Sequence, residues 1–305
     1  NSARNPNDAF VLELGRKPLS ARRLKRWTFS EVGGLDTEKF IKPVQIKYPS
    51  PAEEEGKIIP TPAFVYLPPG RGPFPVIIHV HGGPENQFRP RFNPKFQMWL
   101  DQLNVAIIAP NIRGSLGYGA RYITLDDGYN REAAVRDIGA LLDWIAGQRQ
   151  LDENRVVVMG ASYGGYVALA SAVHYSDRLR GVVDRFGISN FVTFLENTQD
   201  YRREMRRYEY GDERDPEMRA FLQRISPLNN VEKIKVPLLI QQGRNDPIVP
   251  TSESDQMVKA LREQGQTVWY MNALNEGHSY DRKENRDLFQ QATFLFLQKY
   301  LLGEE

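Results

Sequence analysis

The stretch Gly160-Ala161-Ser162-Tyr163-Gly164 constrains this chain more than any other. It reads G-x-S-x-G and stands between two runs of different character. Residues 155–160 form a short β-branched apolar run, the pattern of a buried parallel strand. Residues 163–174 are rich in Gly, Ala, Leu and Val and read as a buried helix. Strand, sharp turn and helix is the order that a nucleophile elbow requires. The turn strains the serine backbone and lifts its hydroxyl above the sheet edge. Gly160 and Gly164 suit such a turn, because a side chain at either position would clash there. The same pentapeptide also arises by chance in glycine-containing loops, so the remaining parts of a site have to be found.

The chain has four histidines, which shortens the search for a base. His79 and His81 lie upstream of the serine, and His174 falls within the helix just after it. His278, in Asn275-Glu-Gly-His-Ser-Tyr280, lies far downstream. Where such an elbow serves an α/β-hydrolase, the chain order is Ser, acid, His. The acid is then expected on a loop after a strand, between Ser162 and His278. The run 236–241 reads as such a strand and Gly243-Arg-Asn-Asp246 follows it, which makes Asp246 the leading candidate. Asp184 is the rival, but it sits inside the strand-like run 181–186 and not past its end. Acyl transfer also needs two donors aimed at the developing oxyanion. The N–H of Tyr163 is one candidate, and the N–H of Gly83, in His81-Gly82-Gly83-Pro84 after the strand 76–80, is the other.

Bulk properties exclude several alternatives. With 41% hydrophobic and 26% charged residues, the chain of 305 residues has the make-up of an ordinary globular protein. A net charge of +2, with no basic stretch interleaved with aromatics, argues against nucleic acid as a partner. No run approaches the roughly 18 apolar residues of a membrane span. The absence of cysteine rules out disulfides, thiol catalysis and Cys-ligated zinc, and leaves the compartment open. The chain starts Asn1-Ser2, without methionine, and reads as a processed or truncated product, so missing targeting signals carry no weight.

Strands are expected at 76–80, 104–109, 155–160, 180–186, 236–241 and 267–271, alternating with helices. This predicts an α/β protein with a mostly parallel sheet and helices on both faces. Ala134, Val135, Ile138, Leu141, Leu142 and Ile145 recur at helical spacing, and a last helix is expected over about 284–302. Residues 201–219 are dense in charge of both signs and read as a solvated helical insertion. Gly114-Ser-Leu-Gly-Tyr-Gly119 has a scrambled dinucleotide fingerprint with no helix expected to open on it. His79 and His81 share a strand face, but no third ligand stands at metal spacing.

Taken together, His81-Gly-Gly-Pro-Glu, Asn111-Ile-Arg-Gly-Ser-Leu-Gly-Tyr-Gly119, Gly160-Ala-Ser-Tyr-Gly-Gly-Tyr166, Glu196-Asn-Thr-Gln-Asp-Tyr201, Gly243-Arg-Asn-Asp-Pro-Ile-Val-Pro250 and Glu276-Gly-His278 form a recognisable set. Residues 45–305 resemble the catalytic domain of the prolyl oligopeptidase family of serine peptidases, nearest its acylaminoacyl-peptidase and dipeptidyl-peptidase-like branches. The resemblance implies an α/β-hydrolase fold with Ser162 as nucleophile, Asp246 as acid and His278 as base. It also implies Gly83 and Tyr163 as oxyanion donors, and Arg113, Ile248 and Val249 are expected at the substrate. The implied activity is hydrolysis of peptide or acyl-peptide bonds without a cofactor. An esterase with the same triad is the rival reading, and a non-catalytic interaction module a more distant one. Homo-oligomer formation is left open.

Two departures stand out. Family members of this type carry a β-propeller before the hydrolase domain, whereas residues 1–44 have room for little more than last-blade strands, which 5–15 and 26–30 resemble. The family pattern after the acid is Asp-Pro-Arg-Val-Pro, and that arginine typically reaches a substrate carbonyl. Here the position is Ile248, which cannot do so. Ser279-Tyr280, where Gly-Phe is common, is a milder change.

Overall fold

The computed structural model describes residues 1–17, 19–52 and 56–304. It opens on an antiparallel hairpin of β1 (Phe10–Leu14) and β2 (Ala21–Arg26). The eight-stranded sheet that follows comprises β3 (Val44–Pro51), β4 (Ile58–Tyr66), β5 (Phe74–Val80), β6 (Ala106–Pro110), β7 (Leu151–Ala161), β8 (Gly181–Arg185), β9 (Leu238–Gly243) and β10 (Val268–Ala273). Its spatial order is β10-β9-β8-β7-β5-β6-β4-β3. From β6 to β10 every neighbouring pair is parallel, and β4 runs antiparallel to both β6 and β3. The helices are α1 (Pro94–Gln102), α2 (Ala120–Ile123), α3 (Ala133–Ala146), α4 (Tyr163–His174), α5 (Phe191–Asn197), α6 (Asp200–Tyr210), α7 (Pro216–Ile225), α8 (Thr251–Glu263) and α9 (Lys283–Phe296).

The central strands are apolar at nearly every position because both faces are covered. Side chains alternate along a strand, so Val76, Ile78 and Val80 of β5 pack with α3, α4 and α8 on one face. Ile77 faces the other way, with Val157 and Met159 of β7, against Phe96 and Trp99 of α1 and Phe289 and Phe296 of α9. Each such Val, Ile or Phe contributes about 1.5–3 kcal/mol by leaving water. Asn93, Asn190 and Asp215 cap α1, α5 and α7 through side-chain oxygens that accept from backbone N–H groups. α4 begins directly after Ser162, whose side chain makes no such cap bond and is left for other use.

The structure adjusts several expectations. β7 extends back to Leu151, and the last helix turns π-helical over Leu297–Leu302. A four-residue helix, α2, opens after Gly119, where none was expected. The charged stretch 201–219 is not simply solvated. It spans α6 and α7, and Arg206, Glu209, Tyr210 and Glu213 are buried. The polar face of α6 turns inward because its cations find carboxylates there: Arg207 pairs with Glu213, and Arg206 with Glu209. No described helix is long and apolar enough to cross a membrane.

Candidate active site

Because β5, β7, β8, β9 and β10 are parallel, the loops that leave their C-terminal ends meet along one edge of the sheet. Those loops carry Gly82-Gly83 after β5, Ser162 after β7, Asp246 after β9 and His278 after β10. In open α/β sheets this edge is where ligands bind.

Ser162 has φ 58° and ψ −122°, a left-handed conformation that is costly for a non-glycine residue. The surroundings hold it there. Its N–H donates to the Arg185 carbonyl of β8 at 2.9 Å, and its carbonyl accepts from Tyr166 N–H at 3.1 Å. The flanking glycines are required by contact: a Cβ on Gly160 would lie 2.1 Å from the Gly164 oxygen, and one on Gly164 2.4 Å from that of Val80. The His81-Gly82-Gly83 loop presses on the same turn, since a Cβ on Gly82 would lie 2.7 Å from the Ala161 oxygen and 3.3 Å from Ser162 Cβ. Gly83 itself takes φ 143°. His81 is buried and ties this loop down, with Nδ1 2.9 Å from the Gly82 carbonyl and Nε2 2.8 Å from Ser115 Oγ.

His278 Nδ1 lies 2.7 Å from Asp246 Oδ2. The other oxygen of Asp246, Oδ1, accepts from the N–H groups of Ile248 at 2.8 Å and Val249 at 3.1 Å. The carboxylate is thus aimed by the backbone of the turn that follows it. The histidine loop is fixed from both sides. Asn245 N–H donates to the Glu276 carbonyl at 2.9 Å, and the Glu276 carboxylate accepts from Asp281 and Arg282 N–H at 3.0 Å each. Phe186 lies against the imidazole with ring centroids 4.5 Å apart. The rival acid, Asp184, is buried under α4, where its Oδ1 accepts from Gly187 N–H at 2.9 Å. Burial raises its carboxyl to about 7, the Gly187 bond opposing.

Two expected substrate contacts are corrected. Arg113 is wholly buried. Its Nη2 pairs with Asp137 Oδ1 at 2.8 Å and also donates to the Ala133 carbonyl at 2.8 Å, which joins the loop after β6 to α3. A guanidinium so enclosed cannot meet a substrate. Val249 is also buried in the core, and it bears on the site through its N–H, not its side chain. Ile248 is partly buried beside the core, and its carbonyl accepts from Thr198 Oγ1 at 2.8 Å.

Sequence reading missed a polar network beneath the elbow. The Tyr163 hydroxyl donates to Asp126 Oδ2 at 2.8 Å and accepts from Arg131 at 3.1 Å. Arg131 also pairs with Asp126 at 2.6 Å, donates to the Glu209 carbonyl at 2.7 Å and lies 4.7 Å from the Tyr210 ring centroid. Arg206 of α6 bonds Glu209 and reaches Glu85, beside the Gly83 loop, at 3.0 Å. Burial is the first cause that raises Asp126 to about 6 and Glu209 to about 8, against the pull of Arg131. Asp126–Arg131 and Arg206–Glu209 are near in sequence, but the links that join them into one network, Tyr163 to Asp126, Arg131 to Glu209 and Arg206 to Glu85, span 37, 78 and 121 residues.

An eight-stranded, mostly parallel sheet with a strained serine between β7 and α4 defines an α/β-hydrolase catalytic domain. The family model of the prolyl oligopeptidase family matches residues 90–304, more than half of the chain. The chain belongs to that family. It is 30% identical over 294 residues to dipeptidyl aminopeptidase BIII of Pseudoxanthomonas mexicana, across 95% of this chain and 40% of that protein. It is 24% identical over 239 residues to the human acylamino-acid-releasing enzyme, across 77% of this chain and 32% of that one. A puromycin-hydrolysing peptidase of Mycobacterium tuberculosis superimposes with a TM-score of 0.87 at 22% identity, over all of this chain and 45% of that one. Acylaminoacyl peptidase of Pyrococcus horikoshii gives 0.80 at 21% identity, over 91% of this chain and 45% of that one. The chain therefore spans less than half the length of these relatives.

Proposed function

We propose that the chain is the catalytic domain of a serine peptidase that hydrolyses peptide or acyl-peptide bonds through an acyl-enzyme. Ser162 is the nucleophile, His278 the general base and Asp246 its orienting acid. The observation that carries this reading is the Asp246–His278 pair, on the same sheet edge as the strained Ser162. His278 Nε2 takes the Ser162 proton as Oγ attacks the carbonyl carbon. The N–H groups of Tyr163 and Gly83 receive the oxyanion. Collapse of the tetrahedral intermediate breaks the C–N bond, and the imidazolium returns its proton to the leaving amine. Water then repeats the sequence on the acyl ester and frees the acid and the serine. Asp246 keeps the imidazole in the tautomer with its free nitrogen toward Ser162 and stabilises the imidazolium. The names of the relatives support a peptide or acyl-peptide substrate.

The division at about residue 44 belongs to the same reading. β3, which opens the large sheet, begins at Val44, and the hairpin before it exposes Leu12, Leu14 and Leu24. We take residues 1–44 as the end of a β-rich domain plus a linker. The test of the function is turnover of peptide p-nitroanilides beside p-nitrophenyl acyl esters. Cleavage of the anilides supports a peptidase, and turnover of esters alone would replace it with an esterase.

A further inference from the structure

The face of the sheet turned away from α3 and α4 carries a polar cluster that the reaction does not use. A partly open cavity of about 30 Å³ lies there, lined by the partly buried Lys95 from the first turn of α1, His79 from β5 and Arg185 from the end of β8. Met159, Gly160 and Ala161, which lead into the elbow, form another wall. Among the described residues the two cations have no counter-charge. Arg185 gives its Nε–H to the neutral Gln241 Oε1 at 3.0 Å and lies 4.9 Å from the Phe289 ring centroid. The charges that act on Lys95 are those of Arg185 and Arg286, both of its own sign. Among the described residues, neither Lys95 nor Arg185 reaches a carboxylate.

Buried polar atoms without a partner among the described residues border the same place, and one of them, Gln290 Oε1, is an acceptor. Trp99 lines the cavity, and its indole Nε1, shut off from solvent, has no hydrogen-bond partner; the same holds for His79 Nδ1. An indole N–H can only donate. Cations and N–H groups taken from water without an acceptor are costly. The cavity exceeds the roughly 10–15 Å³ that a single water needs, yet is far too small for a peptide. The geometry points to a binding site for a small inorganic anion, of chloride size, held by the Lys95 ammonium, the Arg185 guanidinium and the Trp99 N–H. Burial and the neighbouring arginines lower Lys95 to about 8, the penalty that a bound anion would relieve. An anion there ties α1 and β8 to the strand that leads into Ser162.

The probe is chloride itself. ³⁵Cl NMR line broadening is measured on the protein in NaCl, with bromide as competitor, and melting temperature is followed in NaCl against sodium gluconate at equal ionic strength. Saturable broadening, reversed by bromide, and a melting point that is higher in chloride are expected. Both effects should be lost in Lys95→Met and in Arg185→Gln, with circular dichroism confirming the fold. No broadening by the wild-type protein, together with equal melting in both salts, would overturn the site even if both variants failed to fold. Broadening that persists undiminished in folded Lys95→Met and Arg185→Gln would place chloride elsewhere and also overturn it.

Discussion

Asp246 divides its two oxygens between two tasks: Oδ2 faces His278 Nδ1 at 2.7 Å, and Oδ1 takes the N–H groups of Ile248 and Val249. The Asp246 carboxylate is therefore held by the backbone that follows it, while its other oxygen meets the imidazole. This arrangement separates Asp246 from Asp184, whose carboxylate is used within the core.

Asp246→Asn should lower kcat by about 10⁴, since an amide there favours the wrong histidine tautomer. Asp184→Asn should stay within about tenfold of wild type on the same substrate, because a group acting only on stability leaves the barrier nearly unchanged. Steady-state kinetics on both variants decides, and the reverse pattern would move the acid to Asp184.

Asp184 also predicts a pH dependence. Its carboxyl is raised by burial to about 7 from the ordinary 3.8, so the folded state holds a proton that the unfolded state has released between these values. The folded state binds more protons there, so this group's contribution to stability is present at low pH and falls as pH rises toward 7. Asp184→Asn removes that component, on the order of 4 kcal/mol between the limits. Urea unfolding of both proteins from pH 4 to 8 should show the variant gaining on wild type as pH rises. Parallel curves would contradict the assignment.

The network under Tyr163 should be felt mainly in stability. Tyr163→Phe keeps the backbone N–H but strips Asp126 of a donor, at a cost of about 1–3 kcal/mol. Arg131→Met leaves the buried Asp126 and Glu209 without their shared cation and should cost about 3–5 kcal/mol. Denaturant midpoints test both, and unchanged midpoints would show that the cluster is not coupled to folding.

Ile248→Arg should improve kcat/KM for peptides. A charged hydrogen bond to a substrate carbonyl is worth about 1.5–3 kcal/mol, or roughly tenfold to a hundredfold. Small esters, with no upstream carbonyl, should change little. The backbone N–H of residue 248 remains to hold Asp246, so the acid is preserved. Equal changes for both substrate types would show that the side chain does not reach the peptide.

The parts of the site that could be read from the chain are those fixed by local order. The strained turn at Ser162 was legible through the glycines it demands, and His278 stood out as a candidate through its place after the last strand. The fold class followed from apolar runs alternating with helical spacing. Arg113 misled because its fate depends on Asp137, which α3 brings beneath the loop after β6. Arg206 and Glu85 are 121 residues apart, and nothing at either end announces the other. The charged run of α6 looked solvated although Arg206 and Arg207 find Glu209 and Glu213 close by in sequence, because the burial of those pairs comes from what α6 packs against. Burial of paired charge is a property of the assembled tertiary structure, and local periodicity does not carry it.

The most direct test of the central claim is covalent labelling by a fluorophosphonate, which reacts with an activated serine, followed by mass-spectrometric mapping of the modified peptide. The account predicts one labelled peptide, carrying Ser162, with labelling abolished in Ser162→Ala and strongly slowed in Asp246→Asn. Labelling at another residue, or a folded wild-type protein that is not labelled at all, would contradict it.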